Sequence, residues 1–408
     1  MRARILAIAV WAGLAASTAA MPYFPPPTPI YEAPIDRALQ NITSMQGLEP
    51  AQRERLLGRL NLLAYARDDS NFAYFRDNNQ LNEPGSVPCS EAPRGYAPEE
   101  YPPHQWAATD LCARYTFDMN PQQELPTDPT TTTERGRARL EAARAHYAEA
   151  LRLEPSNLRA RLGYAYVLDR MGRVGDARRE LRTIIRYGMP LLRGDTSDWD
   201  DHTVLAETAA HLDHLATSRA DRGRLDKLRR RLDLSRPMIA ITPIVVPLAD
   251  APFSQLVDDA SPVSFDFTGT GDARAQGWLR SNAAWLVWDP QWRGQVRSGF
   301  DLIGQRSWAV FWSDGFEALR ALDDNRDGVL TGGELGGLSL WRDENNNGVS
   351  DPGEVVPVNV HGIVSLAVSG ARVREGLIAA PHGVTFDDGR TRPLYDWTPG
   401  VGRAPAIS

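Results

Sequence analysis

The sequence predicts an α+β multidomain fold, with N-terminal helices packed in pairs and a small β-rich C-terminal domain. Three observations predict it. Apolar residues recur at helical spacing over 50–67 and through 137–235. From Val263 onward, short runs such as VSFDF, AAWLVWDP, SWAVFW, LSLW, VVPV and IVSLAV alternate with Gly- and Asp-rich turns, as strands do. Between Asp323 and Glu354 lie two acidic twelve-residue loops, almost back to back.

Residues 1–20 read as a secretory signal. Arg2 and Arg4 precede an apolar run from Ile5 to Ala16, and a small-residue cleavage site ends at Ala19 or Ala20. The expected location is outside the cytoplasm, periplasmic or secreted. Removing the signal takes the formal charge from −7 to −9. An acidic chain is poorly suited to non-specific nucleic-acid binding. Beyond the signal, no run approaches the length of a membrane span, so no transmembrane segment is expected in the mature chain.

A Pro-rich arm is assigned to 21–45 and a helix to 46–69, with Leu56, Leu57, Leu60, Leu63 and Ala64 on one face. Residues 70–136 form an irregular insertion rich in Pro, Asn, Gly and Asp. It carries Cys89 and Cys112, which an oxidising compartment would let pair as a disulfide. Two free thiols are the alternative.

Over 137–235, Ala143, Tyr147, Ala150, Leu151 and Pro155 are followed 34 residues later by Ala177, Leu181, Ile184, Ile185 and Met189. With Ala165, Leu168 and Gly172 between them, HYAEALRLEPSN and ARLGYAYVLDRMGRVGDARREL resemble a tetratricopeptide repeat. That resemblance implies a face that holds proteins or peptides; a plain helical bundle is the alternative. Helices are also expected at 202–217 and 222–234. His211 and His214, without a carboxylate ligand set, read as solvated rather than metal-bound. Leu225, Leu228 and Leu232 read as the apolar stripe of a solvated helix. MIAITPIVVPLADAP, within 236–262, reads as an edge strand or a strap, because Pro243 and Pro247 interrupt it.

The calcium-loop domain is assigned to 263–400, with a tail at 401–408. In its first loop, Asp323, Asn325, Asp327, Val329, Thr331 and Glu334 occupy positions 1, 3, 5, 7, 9 and 12; in the second, Asp343, Asn345, Asn347, Val349, Asp351 and Glu354 do. Alternating acidic and amide side chains, a main-chain carbonyl at position 7 and a closing Glu suit a hard cation needing six to eight oxygens. Gly328 and Gly348 at position 6 permit the sharp reversal. Both loops resemble EF-hand loops, and two Ca2+ ions are expected. Glu334 and Asp343 are separated by only LGGLSLWR, too little for the helices of a sensor pair, so calcium is read as structural. Val263-SFDFTGTG, Trp278, Trp285-LVWDP and the loop pair resemble the accessory module of RTX-type secreted proteins. A middle loop starting at Asp289 carries Gln291 and Arg293 at ligand positions and is expected to be metal-free. A leading loop offers Asp266, Thr268 and Thr270 but no closing carboxylate. The tryptophans read as core rather than as a sugar platform.

No nucleophile elbow, HExxH pair, P-loop or dinucleotide fingerprint occurs, so the chain is read as a non-enzyme. The favoured function is an exported calcium-binding scaffold whose helices bind a protein or peptide. The alternatives are a secreted or periplasmic hydrolase with a calcium-stabilised module and a dockerin-like docking protein.

Overall fold

The computed structural model describes residues 33–68, 133–192, 199–215, 218–234, 241–267 and 273–400. The predicted signal, both cysteines, Thr268 and Thr270 and the tail lie outside the described residues. Among the described residues, no helix is long and apolar enough to cross a membrane.

Helix α1 (Ile35–Ser44) falls inside the expected arm. Its signal is short: Ile35, Ala38 and Ile42 share one face, and each is at most 1% exposed. Pro34 precedes the first helical residue, where a missing N–H costs little. Helices α2 (Pro50–Asp68), α3 (Glu134–Leu153), α4 (Leu158–Arg170), α5 (Val174–Gly188), α6 (Trp199–Leu215) and α7 (Arg219–Leu234) follow. Thr133 caps α3 by accepting the Gly136 N–H at 3.0 Å, and Asn157 caps α4 through the Ala160 N–H at 2.9 Å.

The helices pack as α2 with α3, α4 with α5 and α6 with α7. The 34-residue offset marks equivalent core positions, since Ala143 and Ala177, Tyr147 and Leu181, and Ala150 and Ile184 are all buried. Tyr147 seats its ring where glycines leave room. A Cβ on Gly58 of α2 would stand 2.9 Å from that ring, and one on Gly163 of α4 would stand 2.3 Å from it. His211 is not solvated as expected: it is 4% exposed and its Nε2 lies 3.1 Å from Asp169 Oδ2. Leu225 and Leu228 are buried in the core formed by α4 to α7.

Eleven strands are described: β1 (Ile244–Pro247), β2 (Val257–Phe265), β3 (Arg274–Leu279), β4 (Ala283–Trp288), β5 (Val329–Thr331), β6 (Leu338–Trp341), β7 (Val355–Pro357), β8 (Ile363–Ala367), β9 (Ala371–Arg374), β10 (Leu377–Phe386) and β11 (Thr391–Trp397). Nine form an antiparallel sheet in the order β5-β8-β10-β11-β1-β4-β6-β7, with β9 on β10; β2 and β3 pair separately. The expected strap is therefore a central strand. Val245 pairs with Tyr395 on one side and Trp285 on the other. Both prolines are accommodated because Pro243 precedes the strand and Pro247 ends it. SWAVFW is not a strand either. Trp308, Ala309 and Phe311 have φ of 57°, 57° and 63°, so the segment turns through left-handed backbone.

Two apolar clusters cross these elements. In one, Ile35, Ile42, Leu60, Leu63 and Tyr147 of the helices are continuous with Val246, Leu286, Trp312, Phe316, Leu330 and Leu366 of the β-rich half. The other is aromatic: Phe265, Phe267, Trp278, Trp285, Trp341 and Trp397. Trp292, 72% exposed, departs from the expected tryptophan core.

Candidate metal centre

Helix α8 (Gly315–Arg320) leads into the first loop, capped where Asp314 accepts the Glu317 N–H at 2.7 Å. Strand β6 leads into the second. Both loops use the same backbone. Position 4 is left-handed at Arg326 (φ 63°) and Asn346 (φ 57°), and position 6 at Gly328 (φ 91°) and Gly348 (φ 72°). Gly348 is required on a second count, since a Cβ there would stand 2.5 Å from Ser264 O.

The end carboxylates are the buried ones: Asp323 and Asp343 are 6% exposed, and Glu334 and Glu354 are 8% exposed. Asn325, Asp327, Asn345, Asn347 and Val349 are exposed. Asp323 accepts the Arg326 N–H at 2.7 Å and the Gly328 N–H at 3.1 Å. Asp343 accepts the Asn347 N–H at 3.1 Å and the Gly348 N–H at 2.8 Å. Glu334 takes the N–H groups of Asp324 at 2.8 Å and Thr331 at 3.0 Å, and Glu354 those of Glu344 at 2.9 Å and Asp351 at 3.0 Å. The closing Glu thus ties position 2 to position 9 in both loops.

Other predicted ligands bond to each other. Asn325 donates to Asp327 at 2.9 Å, and Asp351 accepts from Asn345 at 2.8 Å and Asn347 at 2.9 Å. Val329 and Val349 donate their N–H groups to Asp327 at 3.0 Å and Asn347 at 2.7 Å. Among the described residues, no three His, Cys, Asp or Glu side chains converge on one point. The chemistry of the donor set nonetheless fits a hard cation. Each loop supplies carboxylate and amide oxygens plus a position-7 carbonyl, with no thiolate or imidazole to favour a softer metal.

The middle loop repeats the frame without the chemistry. Trp292 (φ 54°) and Gly294 (φ 68°) take the left-handed positions, and Asp289 accepts the Arg293 and Gly294 N–H groups at 2.8 and 2.9 Å. Position 12 is Phe300, and the closing role passes to Asp301, which accepts the Arg297 N–H at 2.8 Å. That Asp, one residue beyond the expected position, was visible in the sequence. Arginines at positions 5 and 9 put guanidinium groups where a cation needs oxygen, so this loop does not fit a metal. It meets the second loop at equivalent positions: Val296 N–H donates to Ser350 Oγ at 2.8 Å. The first loop pairs elsewhere, with Leu330 opposite Leu366 of β8.

Two indoles reach the second loop. Trp278 Nε1 donates to Asp343 Oδ2 at 2.8 Å and Trp341 Nε1 to Glu354 Oε2 at 3.3 Å. At the first loop, burial opposes charge on Asp324, but hydrogen bonds from Arg37 and Asn41 outweigh it and hold that carboxyl below its ordinary pKa. Apart from the loops, Phe311 sits among the first helices of all three pairs. Arg55 of α2 donates to its carbonyl at 2.7 Å, and Arg159 of α4 lies 5.4 Å from its ring centre. Val204 and Glu207 of α6 line the same cavity of about 50 Å³.

Comparison with known proteins gives one family match in each half of the chain. Residues 135–188, spanning α3 to α5, match the family model of the tetratricopeptide repeat, as the residue pattern predicts. Residues 244–398, from β1 to just beyond β11, match the model of the SPM domain. The calcium-loop reading of that half rests on its own residues. The chain is 28% identical over 142 residues to the iron-regulated protein FrpA of Neisseria meningitidis serogroup C, which covers 32% of this chain and 13% of that protein. The helical half therefore carries a tetratricopeptide-type repeat, and the β-rich half is similar to the SPM domain.

Proposed function

We propose that this chain is an exported calcium-binding protein in which two structural Ca2+ ions order the β-rich half and the tetratricopeptide-like helices act as a protein-binding scaffold. The observation that carries the calcium reading is the repetition of one frame. Two loops share left-handed positions 4 and 6 and a buried Asp and Glu at positions 1 and 12. Turn chemistry alone does not require a buried closing Glu in both. Export is supported by the charged and apolar pattern of residues 1–20. The scaffold reading is supported by the repeat and by the way its first helices hold Phe311, a segment of the same chain.

Calcium would be held by Asp323, Asn325, Asp327, Val329 O, Thr331 and Glu334 in one loop, and by Asp343, Asn345, Asn347, Val349 O, Asp351 and Glu354 in the other. Its chemistry there is charge neutralisation: three carboxylates per loop repel one another until a divalent ion offsets them. Native mass spectrometry of the full chain in calcium tests the reading. Two bound ions are expected, and none in the Glu334→Gln, Glu354→Gln double variant. A wild-type chain that stays bare in millimolar calcium would overturn it.

A further inference from the structure

The first loop is gripped from outside by α1. Arg37 Nε donates to Asp324 Oδ1 at 2.8 Å, and its Nη2 donates to Leu322 O. Asn41, 3% exposed, donates through Nδ2 to Ala321 O at 3.0 Å and to Asp324 Oδ1 at 2.9 Å. These contacts fix the chain on both sides of Asp323, at position 1. Asp324 then carries the grip onward, because its own N–H donates to Glu334 Oε1 at 2.8 Å. A single residue therefore joins α1, through its side chain, to the closing carboxylate, through its main chain. The second loop is held differently. Its position-2 residue, Glu344, pairs with its neighbour Arg342 at 3.4 Å on an exposed surface.

We propose that Arg37 and Asn41 are positioning residues of the first cation site, so that occupancy of that loop and seating of α1 are coupled. This rests on the calcium reading above. A cation must draw Asp323 and Glu334 toward one point, and a chain already fixed on either side of Asp323 loses less freedom when it does so. Coupling between two binding events is reciprocal: whatever α1 adds to calcium affinity, calcium adds to the seating of α1. The apolar face of α1 is carried along, since Ile35, Ala38 and Ile42 leave the shared core if the helix lifts.

Calcium titration of the full-length chain, resolved by site with Glu334→Gln and Glu354→Gln single variants, tests the coupling. Arg37→Ala with Asn41→Ala is expected to weaken the first site about tenfold, within the usual range of coupling energies. The second site, unchanged, reports that the variant is folded. Arg37→Lys keeps the charge but loses the two-pronged contact, and is expected to fall between. Amide exchange in the wild type needs no variant: calcium should slow exchange along α1, and Glu334→Gln should abolish that slowing. Two bound ions with unchanged first-site affinity in the double variant, or α1 exchange indifferent to calcium, would overturn the coupling alone. A wild type that binds no calcium would remove both readings, and its stoichiometry tells the two failures apart.

Discussion

Asp396 stands on β11 at 1% exposure, its Oδ2 accepting the Gly315 N–H where α8 begins. Burial raises its pKa well above the ordinary carboxylate range and the nearby Asp314 adds to the rise, while the Gly315 N–H and the Thr242 hydroxyl oppose it. The folded chain thus keeps a proton that the unfolded chain releases. Its stabilising share is fully present below the unfolded pKa of about 4 and is lost as pH rises through the folded value, at about 1.4 kcal/mol per pH unit within that window. Asp396→Asn removes the titration. Its stability relative to wild type is expected to climb as pH rises above about 4 in urea unfolding; a constant difference would contradict the assignment. The indoles at the second loop give another residue-scale test. Trp278→Phe keeps a ring but deletes the N–H that reaches Asp343. Calcium affinity at the second site should fall by about tenfold or more, the loss of one charge-assisted hydrogen bond of about 1.5–3 kcal/mol. The first site should hold, and isothermal titration separates the two.

At the scale of elements, close packing of Tyr147 is the sharpest constraint. Gly163→Ala drives a Cβ into its buried ring, and overpacking of this kind costs about 1–3 kcal/mol. A lowered Tm partly restored by adding Tyr147→Leu would confirm that the ring is the cause. Ala143, Tyr147 and Ala150 were legible as repeat positions because helical spacing and a 34-residue offset are local properties of a sequence. The sharp reversals of the two acidic loops were legible for the same reason, and Gly328 and Gly348 take them with φ of 91° and 72°. What the sequence hid is tertiary. Pro243 and Pro247 look like breaks until the neighbours of β1 are known, and then each proves to lie at an end of the strand. The contact between Val296 and Ser350 joins loops that are not adjacent in sequence. Arg37 and Asn41 sit 280 residues or more from the carbonyls they hold, and no local pattern marks such partners.

For the whole molecule, the shared core decides how far the loss of a bound cation would spread. A sequence divided into a helical half and a calcium half predicts that chelation lowers the melting temperature of the second and spares the first. The apolar cluster does not respect that division, since α1, α2 and α3 bury their faces in the same core as β1, β4, β8 and α8. Helices α4 to α7 have a core largely their own. Removing calcium should therefore destabilise α1 to α3 together with the sheet, and α6 and α7 least. With calcium at about ten times Kd, each site contributes roughly 1.4 kcal/mol by linkage, so losing two should lower the Tm of the joint unit by about 5–10 °C. Hydrogen exchange in calcium and in chelator resolves the units directly. Loss of protection in α2 and α3 in step with β4 and β8 is the expected result. Full protection of α2 and α3 while the sheet opens would show that the shared core does not transmit the loss, and that the helices stand independently of the metal loops.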